Sequence, residues 1–354
     1  MTNRIDTPSP ASPRQRLSNM ELLRMISMMM VLILHADYAA LGVPKDDLLT
    51  EDPLGAVSRV VWEQIAIVGV NVFVLISGWF GIRTSLKGVC SLLFQVIFYA
   101  LAVIAVFAAA GWLTPNDYHA ALMSLIPGYD HWFIRSYLGL MILVPVINAY
   151  LRQASMRQLA AVVSAFFIFQ TIYGWILGKD GFSGGYSLLS FIGIYMLGHL
   201  ARRGEWHRRG PWLWLALYLG CVAIDSAASL WRLGATGAIP PMIIEYNSPV
   251  VILGALSLML TFAALPEWRS RTINGMAASC LAVYLLHFNP LILKHYLRTC
   301  FEIYCSYYPL ISYPLLALFL LAVFFASILV DRLRLIAWRP LSRLPILTRQ
   351  INLN

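Results

Sequence analysis

Long apolar blocks alternate with short polar segments along the whole chain. An α-helix needs about 20 apolar residues to cross the hydrocarbon core of a bilayer, and most of the blocks approach that length. The blocks predict an all-α polytopic membrane protein with about ten transmembrane helices and both termini on the same side. The predicted spans are 19–41, 62–82, 89–111, 131–151, 158–177, 186–201, 211–230, 248–265, 276–296 and 309–331.

The same pattern divides the chain into three parts. Residues 1–18 form a polar, proline-containing segment that we expect to be a disordered cytoplasmic tail. Residues 19–331 form the transmembrane domain. Residues 332–354 form a C-terminal cytoplasmic tail that is too short to bury a core of its own.

Composition and charge agree with this architecture. Only 12% of the residues are charged, against about 25% in soluble domains. A net charge of +9 in a soluble chain would suggest a nucleic-acid partner. Here the Lys and Arg residues concentrate in the terminal segments and the even-numbered connections, as the positive-inside rule describes for cytoplasmic segments. We therefore predict cytoplasmic termini, membrane lipids as partners and no nucleic acid.

Arg24 and His35 are the most informative polar residues, because both belong to the first predicted span. Eleven helical steps turn the chain through about 1100°, nearly three full turns, and rise about 16 Å. Both side chains should therefore project from one helix face at different depths. Ionisable groups inside a membrane are costly and usually line functional cavities. The alternative is structural: Arg24 would extend to the membrane surface, and His35 would bond to a neighbouring helix.

Five segments resemble, in order, the motifs of the acyltransferase-3 family of integral membrane acyltransferases. Each is weakly specific alone, and together they extend over 19–331. They are Arg24 and His35 as Arg-x10-His, the apolar run 69–80 ending in Ser-Gly-Trp-Phe, Trp132-Phe133 followed by Tyr137 and Pro145, the Tyr-x-x-Gly segment in 191–198, and the Tyr-Leu-x-His helix in 279–287.

The resemblance implies a membrane acyltransferase related to bacterial polysaccharide O-acetyltransferases. It implies a cytoplasmic acyl-CoA co-substrate, an acceptor hydroxyl across the membrane, and His35 as the catalytic residue. It implies neither a permanently bound cofactor nor a metal, and it suggests a multi-pass protein of the bacterial inner membrane. One departure concerns the family's Arg-x-x-Arg after the second span, since this chain has the looser pair Arg83 and Lys87.

The predicted site has three groups of residues. The donor-binding candidates are Arg24, Ser77, Arg83 and Lys87. The site-lining candidates are Asn71, Tyr284 and His287. The acceptor-side candidates, forming an outer vestibule for a sugar, are Glu63, Trp132 and Arg135.

Several of these residues also have structural interpretations. Ser77 could shape a donor channel or only pack helices, and ordinary positive-inside charge would account for Arg83 and Lys87. Asn71 and His287 could instead bond across helices. Trp132 could instead belong to an interfacial aromatic belt.

The leading hypothesis is transfer of an acyl group, most simply acetyl, from acyl-CoA to a carbohydrate or lipid-linked glycan acceptor. His35 would act as a general base or carry the acyl group itself, and the sequence leaves both roles open. The competing hypothesis is a glycan or lipid transporter or exporter without acyl transfer.

Overall fold

The computed structural model describes residues 16–179 and 181–348, and the helices below lie in those ranges. The α-helices are α1 Ser18–Ala36, α2 Tyr38–Leu41, α3 Asp46–Glu51, α4 Pro53–Ala66, α5 Gly69–Phe80, α6 Leu86–Ala109, α7 Tyr118–Ser124, α8 Trp132–Gln153, α9 Met156–Phe169, α10 Leu188–Arg203, α11 Pro211–Thr236, α12 Pro249–Ala263, α13 Arg271–Ala277, α14 Cys280–His287, α15 Pro290–Ser306, α16 Pro309–Leu341 and α17 Pro345–Thr348. A π-helix, Gln170–Ile176, extends α9, and short 3-10 turns lie at Pro115–Asp117, Ser183–Gly185, Trp206–Arg209 and Pro241–Ile243. No β-strand occurs in these ranges.

Seven helical segments of the described chain are long and apolar enough to cross a membrane. They are Ser18–Leu41, Pro53–Phe80, Leu86–Ala109, Trp132–Gln153, Met156–Ile176, Pro211–Thr236 and Pro309–Leu341. A bent pair of segments raises the number to eight if it counts as one span. The all-α polytopic class is therefore confirmed, with fewer full-length spans than the ten expected. The sixth and eighth predicted spans correspond to α10 and α12, which have 16 and 15 residues.

The ninth predicted span is wrong as a continuous helix. The segments Arg271–His287 and Pro290–Ser306 meet at an angle of 88°. Pro290 lacks a backbone N–H and disfavours helical geometry in the residue before it, so the chain breaks there. The side chain of Asn289 caps α15 by accepting a hydrogen bond from the Leu291 backbone N–H at 3.1 Å. The bend places His287 at the end of α14.

The chain ends differ from their predicted limits. Helix α1 begins at Ser18, and α16 continues past residue 331 to Leu341. Asp331, the last residue of the predicted span, and Arg334 in the extension are buried and form a two-pronged ion pair at 2.7 and 2.9 Å. Tyr99 on α6 donates its hydroxyl hydrogen to Asp331. This buried cluster attaches α16 to α6. Residues 1–15 of the predicted N-terminal tail lie outside the described residues.

Helix α1 lies among α4, α5, α12, α13, α14, α15 and α16 and contacts each of them. Beside it, α5 and α10 approach backbone to backbone. A Cβ atom at Gly78 would lie 2.0 Å from the carbonyl oxygen of Tyr195, and one at Gly198 would lie 2.4 Å from that of Leu75. Such close approach of small residues is a common way for membrane helices to pack. It fixes α5, which forms one wall of the cavity described next.

Candidate active site

A cavity of about 380 Å³ lies against α1 and extends from Arg24 to His35. Arg24, Met28, Val31 and His35 all line it, and their spacing of four, three and four residues is that of one helix face. The other walls come from α5, α6, α8, α13, α14 and the segment before α12. Their lining residues are Val70, Phe73, Ser77, Leu92, Trp132, Phe133, Ile134, Tyr137, Tyr246, Ala277, Ala278, Cys280, Leu281 and Tyr284, and Arg16 completes the set.

The Arg24 end of the cavity contains two guanidinium groups and one buried carboxylate. Arg24 donates from one nitrogen to both oxygens of Glu21, at 2.8 and 3.0 Å. Arg16 approaches the same carboxylate at 3.6 Å. Glu21 is buried, whereas 28% of the Arg24 side chain and 48% of the Arg16 side chain remain exposed. Two cations against one anion leave this end with a net positive charge, which suits a phosphate-bearing ligand.

At the other end, a chain of hydrogen bonds determines which nitrogen of His35 faces the cavity. The Nδ1 of His287 lies 2.5 Å from the carbonyl oxygen of Val283, which can only accept, so this Nδ1 carries a hydrogen. A neutral His287 then has its lone pair on Nε2, which lies 2.9 Å from Nδ1 of His35. His35 therefore donates from Nδ1 and retains an unprotonated Nε2.

The hydrogen bonds of His287 leave Nε2 of His35 available to a ligand in the cavity. His287 is 1% exposed, and burial without a carboxylate partner favours its neutral form. His35 is half-buried and lines the cavity, and its Nε2 has no hydrogen-bond partner among the described residues. The ring of Phe288 packs against the His35 ring with centroids 4.9 Å apart. The site thus presents a positioned imidazole lone pair to the cavity.

Two other predicted residues also line the cavity. Ser77 donates to the carbonyl oxygen of Phe73 at 2.9 Å and lies 3.3 Å from the Tyr137 hydroxyl. Because its hydrogen is used within α5, the Ser77 oxygen can only accept from a ligand. Tyr284 lines the cavity from α14 and stacks on Phe288 with centroids 5.4 Å apart.

Asn71 and His287 lie behind the cavity wall. Asn71 is 1% exposed and donates to the carbonyl oxygen of Tyr246 at 2.8 Å. It therefore holds a wall residue in place, whereas the hydrogen bond of His35 is to His287. His287 likewise holds His35 in place, through the hydrogen bond between its Nε2 and Nδ1 of His35. For both residues, the bond across segments weighed in the sequence analysis is present.

The predicted donor loop lies apart from the cavity. Arg83 and Lys87 are exposed, do not line the cavity, and form no ion pair with another described residue. Nearby, Thr84 donates to the carbonyl oxygen of Met141 at 2.8 Å, which attaches this loop to α8.

The three acceptor-side candidates separate in space. Trp132 lines the cavity, whereas Glu63 and Arg135 do not. Glu63 is 4% exposed and lies one helical turn after Arg59 on α4. Arg135 is exposed on the far side of α8 and reaches only the carbonyl oxygen of Gly128 at 3.5 Å. Glu63 and Arg135 thus do not join Trp132 in lining this cavity, and the sugar vestibule stays a prediction.

Tyr246 is the main wall residue that sequence reasoning missed. It lies in the connection before α12, where no motif or periodic pattern marks it. Arg16 was likewise assigned to the tail, although it faces the Glu21 carboxylate. Within 16–179 and 181–348, no group of three or more His, Cys, Asp or Glu residues is placed to hold a metal ion.

Comparison with protein families places the cavity inside one matched domain. The acyltransferase-3 family model, described as an acyltransferase domain, matches residues 17–334. This range includes every residue that lines the cavity except Arg16. Comparisons with curated proteins and with solved structures gave no match.

Proposed function

Because the chain belongs to the acyltransferase-3 family of integral membrane acyltransferases, we propose that it transfers acetyl from acetyl-CoA to a carbohydrate hydroxyl. The donor enters at the Arg24 end of the cavity, and the acceptor hydroxyl reaches His35 at the other end. One observation carries this assignment: a single cavity joins a cationic mouth to the free Nε2 of His35.

Three features support acetyl-CoA as the donor. The net positive charge of Arg16, Arg24 and Glu21 suits the donor's phosphates. The rise of about 16 Å between Arg24 and His35 suits a long, thin pantetheine arm lying along α1. Ser77 offers an oxygen acceptor partway along this path for an amide N–H of that arm. Arg83 and Lys87 are less direct candidates, since neither lines the cavity.

The proposed chemistry is direct transfer with His35 as the general base. Nε2 of His35 removes the proton of the acceptor hydroxyl while its oxygen attacks the thioester carbonyl carbon. The tetrahedral intermediate then collapses, breaking the carbon–sulfur bond. The departing CoA thiolate takes the proton back from Nε2, so the products are an acetyl ester and free CoA. His287 acts as a positioning residue that fixes the His35 tautomer and ring orientation.

We further propose that both termini face the cytoplasm of a bacterium and that the protein lies in the inner membrane. The acceptor would be an envelope polysaccharide or its lipid-linked precursor. Charge distribution supports this orientation. Single cysteines at two exposed positions, Thr50 and Ser85, test it in a variant that lacks the native cysteines. An impermeant maleimide should label T50C but not S85C in intact cells, and the reverse pattern would contradict the orientation.

Acetyl-CoA turnover by the purified protein in liposomes tests the activity. Wild-type protein should release CoA and form an acetyl ester, and H35A should lose both while keeping its melting temperature. H119A is a matched control, because His119 is exposed and does not line the cavity. Equal turnover in H35A and wild type would remove His35 from this role.

A further inference from the structure

Three aromatic side chains pack against one another near the His35 end of the cavity, where His131, the residue before Trp132, contacts the Phe288 ring that packs on His35. Trp132 begins α8, Tyr186 precedes α10, and Tyr246 precedes α12. The ring centroids of Trp132 and Tyr186 are 4.5 Å apart, those of Tyr186 and Tyr246 are 4.8 Å apart, and those of Trp132 and Tyr246 are 5.8 Å apart. We call these three residues the aromatic shelf.

The shelf connects the inside of the cavity with the surroundings of the protein. Trp132 and Tyr246 line the same cavity as His35. Tyr186 contacts both of them and is 43% exposed. A ligand can therefore lie against Tyr186 and Trp132 while one of its groups extends toward His35.

Three backbone features hold the shelf in a fixed position. The side chain of Asn71 donates to the carbonyl oxygen of Tyr246 at 2.8 Å. The backbone N–H of Asn247 donates to the carbonyl oxygen of Gly184 at 3.3 Å. Gly185 has φ +94°, and a Cβ atom there would lie 2.6 Å from the Cβ of Tyr246. Only glycine combines this backbone conformation with so close an approach. The shelf is thus built by the connections before α10 and α12 acting together.

A carboxylate lies beside the shelf. Glu245 directly precedes Tyr246 and is half-buried, and its Cγ would lie 3.1 Å from a Cβ atom at Gly184, two residues before Tyr186. Of the described residues that line the cavity, Arg16 and Arg24 are the only Lys or Arg, and both lie at the opposite end.

We propose that the aromatic shelf binds the acceptor as an uncharged pyranose ring and that Glu245 disfavours sugars carrying carboxylate or phosphate. This inference rests on the proposed function and specifies its acceptor. Aromatic faces pack against the apolar C–H face of a sugar ring, and the Tyr and Trp polar groups meet its hydroxyls. An anionic sugar would instead meet the Glu245 carboxylate at an end of the cavity where no described lining residue is a Lys or Arg. Like charges repel at short range in a medium of reduced dielectric constant.

Saturation-transfer NMR on the protein in lipid nanodiscs tests this without requiring turnover. Nanodiscs avoid glycoside detergents, which would themselves occupy a sugar site. The probes are methyl β-glucopyranoside and methyl β-glucopyranosiduronic acid. We expect saturation transfer to the ring protons of the neutral sugar and an apparent affinity at least tenfold lower for the uronic acid.

Variants separate the shelf from general effects of the protein surface. Y186A should abolish saturation transfer to the neutral sugar. E245Q should reduce the difference in apparent affinity between the two sugars. Y118A is the matched control, because Tyr118 is also exposed and does not line the cavity. Saturation transfer to neither sugar, equal saturation transfer to both, or an unchanged saturation-transfer signal in Y186A would overturn the proposal.

The outcome is independent of the activity assay. Failure of sugar binding alongside His35-dependent CoA release would leave the acyltransferase proposal standing. Sugar binding without CoA release would contradict the acyltransferase proposal but retain the site.

Discussion

Replacing His287 with alanine should slow acyl transfer without weakening donor binding. In the wild type, Nδ1 of His35 donates to Nε2 of His287 at 2.9 Å, and His287 donates in turn to the carbonyl oxygen of Val283 at 2.5 Å. When Nε2 of His35 takes up the proton of the acceptor hydroxyl, the His35 ring becomes cationic and its hydrogen bond to His287 strengthens. The bond therefore stabilises the transition state more than the ground state, which is the condition for an effect on kcat.

The expected magnitude follows from the cost of leaving the donor unpaired. An unsatisfied buried donor costs about 1–3 kcal/mol. A loss of that size corresponds to a fall in kcat of roughly fivefold to 160-fold. The KM for acetyl-CoA should change little, because Arg24 and Arg16 lie at the other end of the cavity.

Steady-state kinetics in liposomes provide the assay, with H287Q as the conservative variant. A glutamine side-chain oxygen can accept from Nδ1 of His35, so H287Q should recover part of the activity lost in H287A. A purely structural role would lower the folded fraction of both variants and leave kcat per folded molecule unchanged. An H287A enzyme with wild-type kcat, or one whose only defect is a raised KM for acetyl-CoA, would refute the hydrogen-bond chain.

Three further predictions concern other parts of the molecule. R334A should lower the free energy of unfolding by about 3–5 kcal/mol, because it leaves the fully buried Asp331 carboxylate without its partner. Thermal unfolding in detergent should show a much smaller loss for D331N/R334M. Equal melting temperatures of R334A and wild type would contradict this. Hydrogen bonds from Lys294 and Thr114 lower the pKa of Asp117 from 3.8 to about 2, so their stabilising effect is complete above about pH 4 and is lost as the pH falls through about 2. Pepsin cleavage within 115–124 should therefore rise below pH 3, and a rate that does not change between pH 4 and pH 2 would count against this ion pair. R24A should raise the KM for acetyl-CoA severalfold and lower kcat less, as measured by CoA release, and an unchanged KM would exclude a donor role for this guanidinium.

The fold class was predictable because membrane burial imposes a strong pattern on the sequence. Apolar length alone located the segments that became α1, α6, α8, α9, α11 and α16. Length could not reveal the break between α14 and α15, since residues 276–296 look like one apolar block. Pro290 was the available signal, and its consequence for His287 depends on a bend that only the packed structure displays.

The candidate site was predictable where residues share one helix. Arg24 and His35 line one cavity because helical geometry places them on one face of α1. Contacts between distant segments were not predictable in this way. Tyr246, in an irregular connection, lines the cavity and accepts a hydrogen bond from Asn71 of α5, and Arg59 of α4 pairs with Asp37 after the end of α1. Such pairs depend on how the helices pack, which no local pattern encodes.

A structure of the protein in nanodiscs with bound CoA would test the central claim most directly. We expect phosphate groups against Arg24 and Arg16, the pantetheine arm along α1 past Ser77, and the thiol sulfur about 3.5 Å from Nε2 of His35. CoA bound outside this cavity, or a thiol directed away from His35, would contradict it.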